Sequence, residues 1–444
     1  MKVVVIGAVA AGMSAASKIK RNNPDAQVVV YEKTDVISFG ACGLPYFAGG
    51  FFEDHSLMLA RSAEKFREAG IELNLFKEVI RIDEINKKIY IKDVHTGEVS
   101  EDSYDKLMIS TGARSIIPPV ENLNLGNVST LKTFEDGKKV RTMFEDENLK
   151  NVVIIGGGFI GIETIEAAKK MGKNITLIQS ASRVLNRVFD KEITDILEEE
   201  IKNHGVDLRL NEYVTGLEGS DKVTGVITKS GRIPADIVII ATGVKPNTEF
   251  LKDTSIEVLQ NGAIIIDEFC RTSAKDIYAA GDCASIKSMV NGENLYLPLA
   301  TGANKLGRLA GDNITGADKP YQGSLGASCI KVLDMEAGVT GITEEKAKQL
   351  GLDYKTAFIT GSNHSHYYPG RNKIYIKLVY DKATKVILGG QVAGVSDAVQ
   401  RTNVIGMAVM GKMTTMQLGM MDFCYAPPFA ESWDVLNVAG NVCK

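Results

Sequence analysis

The chain of 444 residues contains six cysteines that show no pairing pattern. No two of them form a CxxC motif, and none has metal-ligand spacing with the five histidines, so neither a disulfide framework nor a zinc site is expected. A scattered cysteine in a reducing compartment is usually a small buried hydrophobe. Each cysteine therefore needs its own argument before it is given a function; they occupy positions 42, 270, 283, 329, 424 and 443.

The sequence also has no long apolar run and no run of like charges. No stretch approaches the ~20 apolar residues that span a bilayer, and the chain enters an apolar segment at Lys2 with no signal-like region before it. The formal net charge is only −4. We therefore expect a cytoplasmic protein whose partners are small molecules, not nucleic acid or a membrane.

Residues 1–33 predict a strand, a tight turn, a helix and a second strand, read as KVVVIG, AVAAGMSAASKIKR and AQVVVYEK. Gly7 and Gly12 bracket the turn, where backbone N–H groups and the positive end of a helix meet a pyrophosphate. Glu32 follows where an acidic residue would hold ribose hydroxyls. The match to G-x-G-x-x-G is imperfect, because Val9 replaces the middle glycine.

The segment IYAAGDCA at 277–284 strengthens this site, because a strand there ends in Gly281 and Asp282. An aspartate at a strand end can bind a ribityl hydroxyl, and we expect a helix that starts there to face a flavin ring. Two Thr-Gly turns, in LMISTGA at 107–113 and IVIIATGVKPN at 237–247, would let the backbone approach a ligand closely.

Residues 151–180 repeat the strand, turn and helix pattern with complete spacing. Gly156, Gly158 and Gly161 lie directly between a β-branched strand and a helix, which is a strong dinucleotide-binding signal. Glu163 falls early in that helix, where it either faces the nicotinamide and flavin edge or simply favours the helix N-terminus.

The residues after the next strand do not decide between NAD and NADP as the nicotinamide cofactor. An acidic residue there would favour NAD, but the chain has Gln179, followed by Ser180, Arg183 and Arg187. A neutral residue tolerates either cofactor, and an arginine can accept the 2′-phosphate of NADP.

From about residue 320 the sequence changes to amphipathic strands, a Met-rich helix near 402–421 and the tail DFCYAPPFAESWDVLNVAGN. We interpret this part as a third, α+β domain. A chain of this length fits two or three domains, since single cores stop growing at roughly 250–300 residues.

Cys42 lies in the apolar segment ISFGACGLPYF between Gly40 and Gly43. A thiolate there is reactive if a helix end or an oxidised flavin stabilises it. The alternative is an inert buried thiol, which we expect for Cys270, Cys329 and Cys424.

Eight segments occur in a characteristic order: VVVIGAVAAGMSAAS, ISFGACGLPYF, ISTGA, GGGFIGIE, ATGVKPN, IYAAGDCA, HYYPG and YAPPF. Together they resemble the single-cysteine branch of the pyridine nucleotide-disulfide oxidoreductases, and within it the coenzyme A-disulfide reductases and their NADH oxidase relatives. The resemblance covers essentially the whole chain. It implies an α/β protein with two Rossmann-like dinucleotide-binding domains and a C-terminal α+β dimerisation domain. The expected bounds are 1–117 and 246–319 for FAD, 118–245 for NAD(P), and 320–444 for dimerisation.

The resemblance also implies roles for individual residues. Cys42 would be the redox-active nucleophile that forms a mixed disulfide with coenzyme A, with Ser38 beside it. Tyr425 and Tyr368, or Tyr367, would come from the other subunit of a homodimer. Coenzyme A would be held by Ser14, Lys18 and Arg21, although solvated helix charges explain the two cations equally well. The implied FAD residues are Gly7, Ala8, Ala11, Gly12, Glu32, Lys33, Val79, Thr111, Gly112, Ala113, Gly281, Asp282, Ala300 and Thr301. The implied NAD(P)H residues are Gly156, Gly158, Phe159, Ile160, Gly161, Glu163, Gln179 and Gly243.

Two positions depart from the family pattern. Ala41 stands where related reductases often have asparagine, and Ala10 stands where peroxidases and many water-forming NADH oxidases have histidine. An oxidase that depends on that histidine is therefore disfavoured. His364 and His366 are expected to be solvated loop residues.

The expected function is FAD-dependent reduction of coenzyme A disulfide by NAD(P)H, or of a related low-molecular-weight disulfide. The alternatives are an NADH oxidase that reduces oxygen through a Cys42 sulfenic acid, a persulfide or polysulfide reductase, and a flavin electron carrier to a protein partner. Persulfide reduction is often accompanied by a fused sulfur-transfer domain, and the 444 residues have no room for one.

Overall fold

The computed structural model describes all residues from Met1 to Lys444. The strands in chain order are β1 (Lys2–Ile6), β2 (Gln27–Tyr31), β3 (Ile71–Asn74), β4 (Lys77–Asp83), β5 (Lys88–Asp93), β6 (Val99–Ser103), β7 (Lys106–Ile109), β8 (Ala113–Ser115), β9 (Val128–Thr130), β10 (Asn151–Ile155), β11 (Asn174–Gln179), β12 (Asp207–Leu210), β13 (Val214–Gly219), β14 (Val223–Thr228), β15 (Gly231–Pro234), β16 (Ile237–Ile240), β17 (Val244–Pro246), β18 (Ile277–Ala279), β19 (Ile286–Lys287), β20 (Asn294–Leu295), β21 (Ser328–Val332), β22 (Met335–Gly341), β23 (Tyr354–Ser362), β24 (Lys373–Asp381) and β25 (Ile387–Gly394). The helices are α1 (Ala10–Asn22), α2 (Leu44–Ala48), α3 (Ala63–Glu68), α4 (Phe134–Glu145), α5 (Phe159–Lys170), α6 (Lys191–Asn203), α7 (Ala300–Ile314), α8 (Glu344–Gln349), α9 (Ala398–Met410), α10 (Thr415–Gly419) and α11 (Val435–Asn441).

The first sheet is parallel, in the order β18-β7-β1-β2-β3. Val3, Val4 and Val5 in its central strand are completely buried, as expected for a strand covered on both faces. Because β18 comes from much later in the chain than β1–β7, two separate segments build this sheet.

The second sheet repeats the first. Its order, β9-β16-β10-β11-β12, matches that of the first sheet position by position, with β10 in the place of β1 and β11 in the place of β2. Each sheet is accompanied by a three-stranded antiparallel sheet, β4–β6 in one case and β13–β15 in the other. The antiparallel pair β8 and β17 lies where the chain passes between the two units.

The C-terminal sheet is antiparallel, in the order β21-β22-β25-β24-β23, and its core includes residues of α9, α10 and α11. The prediction of one Met-rich helix near 402–421 is wrong, because the helix breaks after Met410. Gly411 ends α9, Lys412 takes a left-handed φ of 50°, and Thr414 forms a capping box with Gln417 that starts α10.

One hydrophobic cluster joins the second sheet, the C-terminal sheet and the segment around Cys42. It includes Leu44 of α2, Ile165 of α5 and Ile330 of β21. The three parts therefore form a common core that fixes their relative positions. No helix combines the length and the apolar composition that crossing a bilayer requires.

Candidate active site

A single continuous cleft of about 2950 Å³ runs between the two parallel sheets. Residues of both glycine turns and Cys42 line it. The two glycine turns therefore open into the same space as the candidate thiol.

The first glycine turn has the close packing that a dinucleotide cradle requires. Gly7 has φ +97°, and a Cβ there would lie 2.3 Å from the carbonyl oxygen of Ser110. A Cβ on Gly12 would lie 1.9 Å from the carbonyl oxygen of Gly7. Val9, which replaces the middle glycine, has a negative φ of −100° at the N-terminus of α1, so the position does not need the left-handed backbone that favours glycine. The substitution therefore does not distort the turn.

Glu32 is buried at the end of β2 and ties this turn together. One carboxylate oxygen accepts a hydrogen bond from the Ala8 amide at 2.9 Å, and the other accepts from the amide and hydroxyl of Thr34, both at 3.0 Å. Lys33, Val79 and Ala11 line the adjoining part of the cleft.

The segment after β18 differs from its prediction, because no helix starts at Asp282. The chain instead passes through turns and the short pair β19–β20 before α7 begins at Ala300. Gly281 has φ +86°, which turns the chain where it lies against Ala11. Asp282 and the first turn of α7, Ala300 and Thr301, all line the cleft.

A second strand end brings Thr111, Gly112 and Ala113 to the cleft. The Thr111 hydroxyl donates to the carbonyl of Asn247 at 2.7 Å, which ties this Thr-Gly turn to the chain that follows β17. Gly112 has φ +65°, and no protein atom lies within 4 Å of the position of a Cβ there.

The second glycine turn repeats the geometry of the first. Gly156 has φ +113° and would place a Cβ 2.3 Å from the carbonyl oxygen of Ala241, and Gly161 would place one 1.9 Å from the carbonyl oxygen of Gly156. Gly158, the counterpart of Val9, has φ −86° and no protein atom within 4 Å of its Cβ position. Phe159, Ile160 and, from the opposite strand end, Gly243 line the cleft beside it, whereas Gly161 does not.

Gln179 at the end of β11 lies across this turn. Its side-chain oxygen accepts from the Gly157 amide at 3.2 Å, and its NH₂ group donates to the Arg183 carbonyl at 3.3 Å. The Arg183 guanidinium is unavailable to a 2′-phosphate, because it pairs with Glu345 and does not line the cleft. Arg187 is exposed, lines the cleft and has no protein partner.

Cys42 lies in a 3₁₀ turn, Ala41–Gly43, that leads directly into α2. Leu44 at the start of α2 packs so closely on α4 that a Cβ on Gly137 would lie 2.4 Å from it. The thiol itself is exposed in the cleft. Ser38, with φ 51°, donates its amide hydrogen to the Ala8 carbonyl at 2.8 Å, which ties this segment to the first glycine turn.

The protein's own groups raise the pKa of Cys42 above its usual value. The loss of solvent around the thiol at the wall of the cleft has the largest effect. The charges of Glu163 and Asp282 add to it, and the charge of Lys132 opposes them. The groups that surround Cys42 in the protein itself therefore favour the neutral thiol over the thiolate.

Glu163 is the second titratable group of the cleft. Partial burial and the nearby charge of Glu166 raise the pKa of Glu163 to about 7. Its carboxylate has no hydrogen-bond or ion-pair partner in the protein. It therefore changes charge near neutral pH, close enough to Cys42 to affect the thiol.

Of the three cysteines predicted to be inert and buried, Cys270 agrees with the prediction, whereas Cys329 and Cys424 do not. Cys270 is buried, as expected for an inert thiol, and burial raises its pKa to about 12. Cys329 and Cys424 are exposed instead, and Cys329 lines the same cleft as Cys42. Alternation along β21 explains this, because Ile330 faces the core and its neighbour Cys329 must face outward.

The residues predicted for coenzyme A lie on α1, beside α7. Ser14 donates to Asn304 at 3.1 Å, and Lys18 lies 3.2 Å from Asp312. Arg21 is exposed and lines the cleft with them. Lys18 is therefore partly neutralised, whereas Arg21 is free.

None of the three tyrosines lines the cleft that contains Cys42 of the same chain. The hydroxyls of Tyr367 and Tyr425 are 3.2 Å apart, whereas Tyr368 packs edge-on against His364 at 5.5 Å between ring centres. The structure thus pairs Tyr425 with Tyr367. His364 is buried and not solvated as expected, because it forms part of the packed base of this loop, whereas His366 is exposed.

Lys132 is a charged residue of the cleft that the sequence did not reveal. It lies just after β9 and its Nζ is 3.1 Å from a carboxylate oxygen of Asp282. Its segment, LKTFED, has no motif that links it to a cysteine ninety positions earlier. Only the folding of the second unit against the first brings it to the site.

Two dinucleotide cradles that open into one cleft with an exposed thiol define a nicotinamide-dependent flavoprotein oxidoreductase. Residues 1–307 match the pyridine nucleotide-disulphide oxidoreductase family, and residues 327–436 match the dimerisation domain of that family. The chain belongs to this family, whose members use FAD and NAD(P)H. The predicted family, fold class and enzymatic character are thus confirmed.

Several relatives match over their full length. An NAD(P)H coenzyme A polysulfide/persulfide reductase of Pyrococcus horikoshii is 42% identical, with 100% of this chain and 98% of the relative covered. An NADH oxidase of Enterococcus faecalis is 38% identical over 99% and 98% of the two chains. A coenzyme A disulfide reductase of Staphylococcus aureus is 30% identical over 100% of both. Among solved structures, reduced CoADR-RHD of Bacillus anthracis superposes with a TM-score of 0.95 at 32% identity, covering 100% of this chain and 80% of the other.

These comparisons overturn one argument from the sequence. The Pyrococcus relative is named a polysulfide/persulfide reductase and is covered almost completely by this chain, so a protein of this length can carry that name without a fused domain. The expectation that a fused sulfur-transfer domain accompanies persulfide reduction therefore does not count against this activity.

Proposed function

We propose that the protein is an FAD-dependent NAD(P)H oxidoreductase that reduces coenzyme A disulfide, or a related low-molecular-weight disulfide, at Cys42. The observation that carries this proposal is the exposed Cys42 thiol in the cleft into which both glycine turns open. The matching positive φ values of Gly7 and Gly156, and the matching close contacts of Gly12 and Gly161, support two bound dinucleotides.

FAD fits the first unit. The Gly7 turn would face its pyrophosphate, Glu32 its adenosine ribose and Asp282 its ribityl chain, while the Thr111–Ala113 turn and the start of α7 would border it. We assign residues 1–117 and 246–319 to this domain, 118–245 to NAD(P)H binding and 320–444 to dimerisation. When bound, FAD would carry the electron pair from NAD(P)H to sulfur.

NAD(P)H fits the second glycine turn, with its nicotinamide end toward Glu163. Gln179 brings no charge to the ribose, so it permits either cofactor. Arg187 is the free cation at this end of the cleft and would meet the 2′-phosphate of NADPH, in place of Arg183.

The proposed reaction uses one protein thiol. The Cys42 thiolate attacks one sulfur of coenzyme A disulfide, forms a Cys42–coenzyme A mixed disulfide and releases one coenzyme A thiolate. The electron pair from NAD(P)H then cleaves the mixed disulfide, which returns the Cys42 thiolate and releases the second coenzyme A. With one proton from solvent, the sum is NAD(P)H and a disulfide converted to NAD(P)⁺ and two thiols. No second protein cysteine is required, because the substrate supplies the other sulfur.

Ser14 and the cations Lys18 and Arg21 form a polar surface that suits the phosphates of coenzyme A. In a homodimer, Tyr367 and Tyr425 of one subunit would complete the site of the other and donate to a leaving thiolate. The dimerisation domain exposes the large apolar surface that such a dimer would bury, including Met407, Met416, Met420, Phe429 and Trp433. All six cysteines are unpaired, which fits the reducing cytoplasm.

Replacement of the nucleophile tests the proposal directly. We expect Cys42→Ser to lower the rate of NAD(P)H-dependent coenzyme A disulfide reduction by about a thousandfold or more, as loss of a covalent nucleophile does. The flavin spectrum should persist. Cys329→Ser is the matched control, since Cys329 is exposed in the same cleft. Undiminished reduction by the Cys42 variant would refute the disulfide mechanism.

Reduction of coenzyme A persulfide or polysulfide is the second candidate, favoured by the names of the relatives at 40–42% identity. Steady-state rates with coenzyme A disulfide, polysulfide and oxygen, each with NADH and NADPH, separate it from the first. Oxygen as the best acceptor would support an NADH oxidase, although Ala10 provides no histidine beside the flavin position. Turnover only with a protein acceptor would support an electron carrier.

A further inference from the structure

The loop that connects β11 to α6, residues 181–189, forms one wall of the cleft at the second glycine turn. Leu185 donates its amide hydrogen to the Gly157 carbonyl at 2.8 Å, and a Cβ on Gly157 would lie 3.1 Å from Val184. Ala181, Asn186 and Arg187 of this loop line the cleft. Its position therefore determines the space beside the second glycine turn.

The apolar residues of the loop belong to a core that includes part of the dimerisation domain. Val184, Leu185 and Phe189 are almost completely inaccessible and belong to the cluster that contains residues of β21 and β22. The loop that borders the dinucleotide cradle thus shares a hydrophobic core with a different domain.

Asp190, which directly follows the loop and caps α6, is held by polar groups of that domain. Gln391 of β25, which is 0% exposed, accepts from the Asp190 amide at 2.8 Å and donates to its carboxylate at 2.5 Å. The same carboxylate accepts from the amides of Glu344 at 2.9 Å and Glu345 at 3.1 Å, at the start of α8. A carboxylate that is 2% exposed depends on these partners, because burying it unpaired is costly.

Ion pairs of two basic residues reinforce this attachment. Lys377 of β24 is almost completely buried, and its Nζ lies 3.5 Å from Asp190 and 2.7 Å from Glu192 at the start of α6. Arg183, inside the loop, pairs with Glu345 of α8. The loop is therefore tied to the dimerisation domain through charged groups at Arg183 and at Asp190.

We propose that Gln391 and Lys377 are positioning residues for NAD(P)H: through Asp190, the dimerisation domain holds the 181–189 loop in the conformation that binds the adenosine half of the nucleotide. The inference rests on the proposed function only in placing NAD(P)H at the second glycine turn. It assigns part of the nucleotide affinity to residues that do not touch the nucleotide.

Equilibrium binding of ADP-ribose to the purified holoenzyme tests this without any turnover. We expect Gln391→Met, which keeps the volume and removes both hydrogen bonds to Asp190, to raise the Kd for ADP-ribose about tenfold. The KM for NAD(P)H should rise in parallel, whereas kcat at saturating NAD(P)H stays within about twofold. Loss of a residue that merely stabilised the fold would not raise the Kd and the KM while leaving kcat unchanged.

Arg401→Met is the matched control. It removes a buried ion pair with Asp434 in the same domain, at 2.7 Å, without touching the loop. The control should lower thermal stability but leave the Kd for ADP-ribose unchanged. Equal weakening by both variants, or wild-type affinity in Gln391→Met, would overturn the inference. Should Gln391→Met not fold, Glu345→Gln decides, since Glu345 is half exposed and its variant should raise the same Kd about threefold. Failure of the wild-type protein to bind ADP-ribose would instead refute the proposed function.

Discussion

The reactivity of Cys42 depends on the charges that face it across the cleft. After burial, the charge of Glu163 is the largest cause that raises the pKa of Cys42. The pKa of Glu163 is itself raised to about 7, so Glu163 is neutral below that pH and acts on the thiol mainly above it. Glu163→Gln removes this negative charge at every pH. We expect the midpoint of the pH profile for alkylation of Cys42 by iodoacetamide to move to lower pH. An unchanged or higher midpoint would contradict the assigned electrostatic role.

Lys132 supplies the opposite test at the same thiol. Its positive charge lowers the pKa of Cys42, and its Nζ also lies 3.1 Å from Asp282. Lys132→Met removes that charge and leaves Asp282 unpaired, so both effects raise the pKa of the thiol. The alkylation midpoint should therefore move to higher pH, opposite to Glu163→Gln, when measured on protein with full flavin content. Shifts of the same sign in the two variants would show that the charges in the cleft do not set the reactivity of Cys42.

Site residues could be predicted from the sequence where they belong to a local motif with a fixed spacing. Glu32 follows from its distance to Gly7 along one strand-helix-strand unit, and its carboxylate does lie on that glycine turn. Lys132 and Cys329 reach the cleft from other segments of the chain, and no spacing in the sequence measures that approach. Position in the folded protein, and not residue type, makes them part of the site.

At the scale of the elements, the glycines of the second turn have two different roles. One is required by close packing within the protein, and the other keeps space free for the bound nucleotide. Gly161→Ala would place a methyl group 1.9 Å from the Gly156 carbonyl oxygen, whereas Gly158→Ala meets no protein atom within 4 Å. We expect Gly161→Ala to lower the free energy of unfolding by about 1–3 kcal/mol. Gly158→Ala should leave the melting temperature unchanged but raise the KM for NAD(P)H, since its methyl group enters the space of the pyrophosphate. Calorimetry and initial-rate kinetics distinguish them, and a destabilised Gly158→Ala would contradict this division.

Val9 explains why the sequence pattern at the first turn was imperfect although the turn is intact. Its backbone has a negative φ, as Gly158 does, so neither position needs glycine for the fold. Elements fixed by such local sterics were predicted well. The predictions of a helix at Asp282 and of a single helix over 402–421 were wrong. The chain turns at Gly281 and at Lys412 through positive φ values, which hydrophobic periodicity does not reveal.

At the scale of the whole molecule, the separation of the tyrosines from the cleft of their own chain makes subunit sharing testable. Tyr367 and Tyr425 lie together at 3.2 Å, 63% and 49% exposed, and neither lines the cleft that contains Cys42. Tyr367→Phe/Tyr425→Phe should lower disulfide reduction about a hundredfold, as loss of a proton donor does. Cys42→Ser should be inactive for its own reason.

A heterodimer of these two variants distinguishes action across subunits from action within one. Suppose that the tyrosines act in the cleft of the partner subunit. The chain with the tyrosine substitutions then supplies an intact Cys42, and the Cys42→Ser chain supplies intact tyrosines to the same site. One of the two active sites of the heterodimer is therefore complete. The heterodimer, purified through two different affinity tags after coexpression, should then recover about half of the wild-type rate. If the tyrosines acted within their own subunit, neither site would be complete and the heterodimer would be as inactive as both parents. Each homodimer lacks either Cys42 or the tyrosines in both of its sites. Recovered activity must therefore come from a site that combines residues of the two different chains.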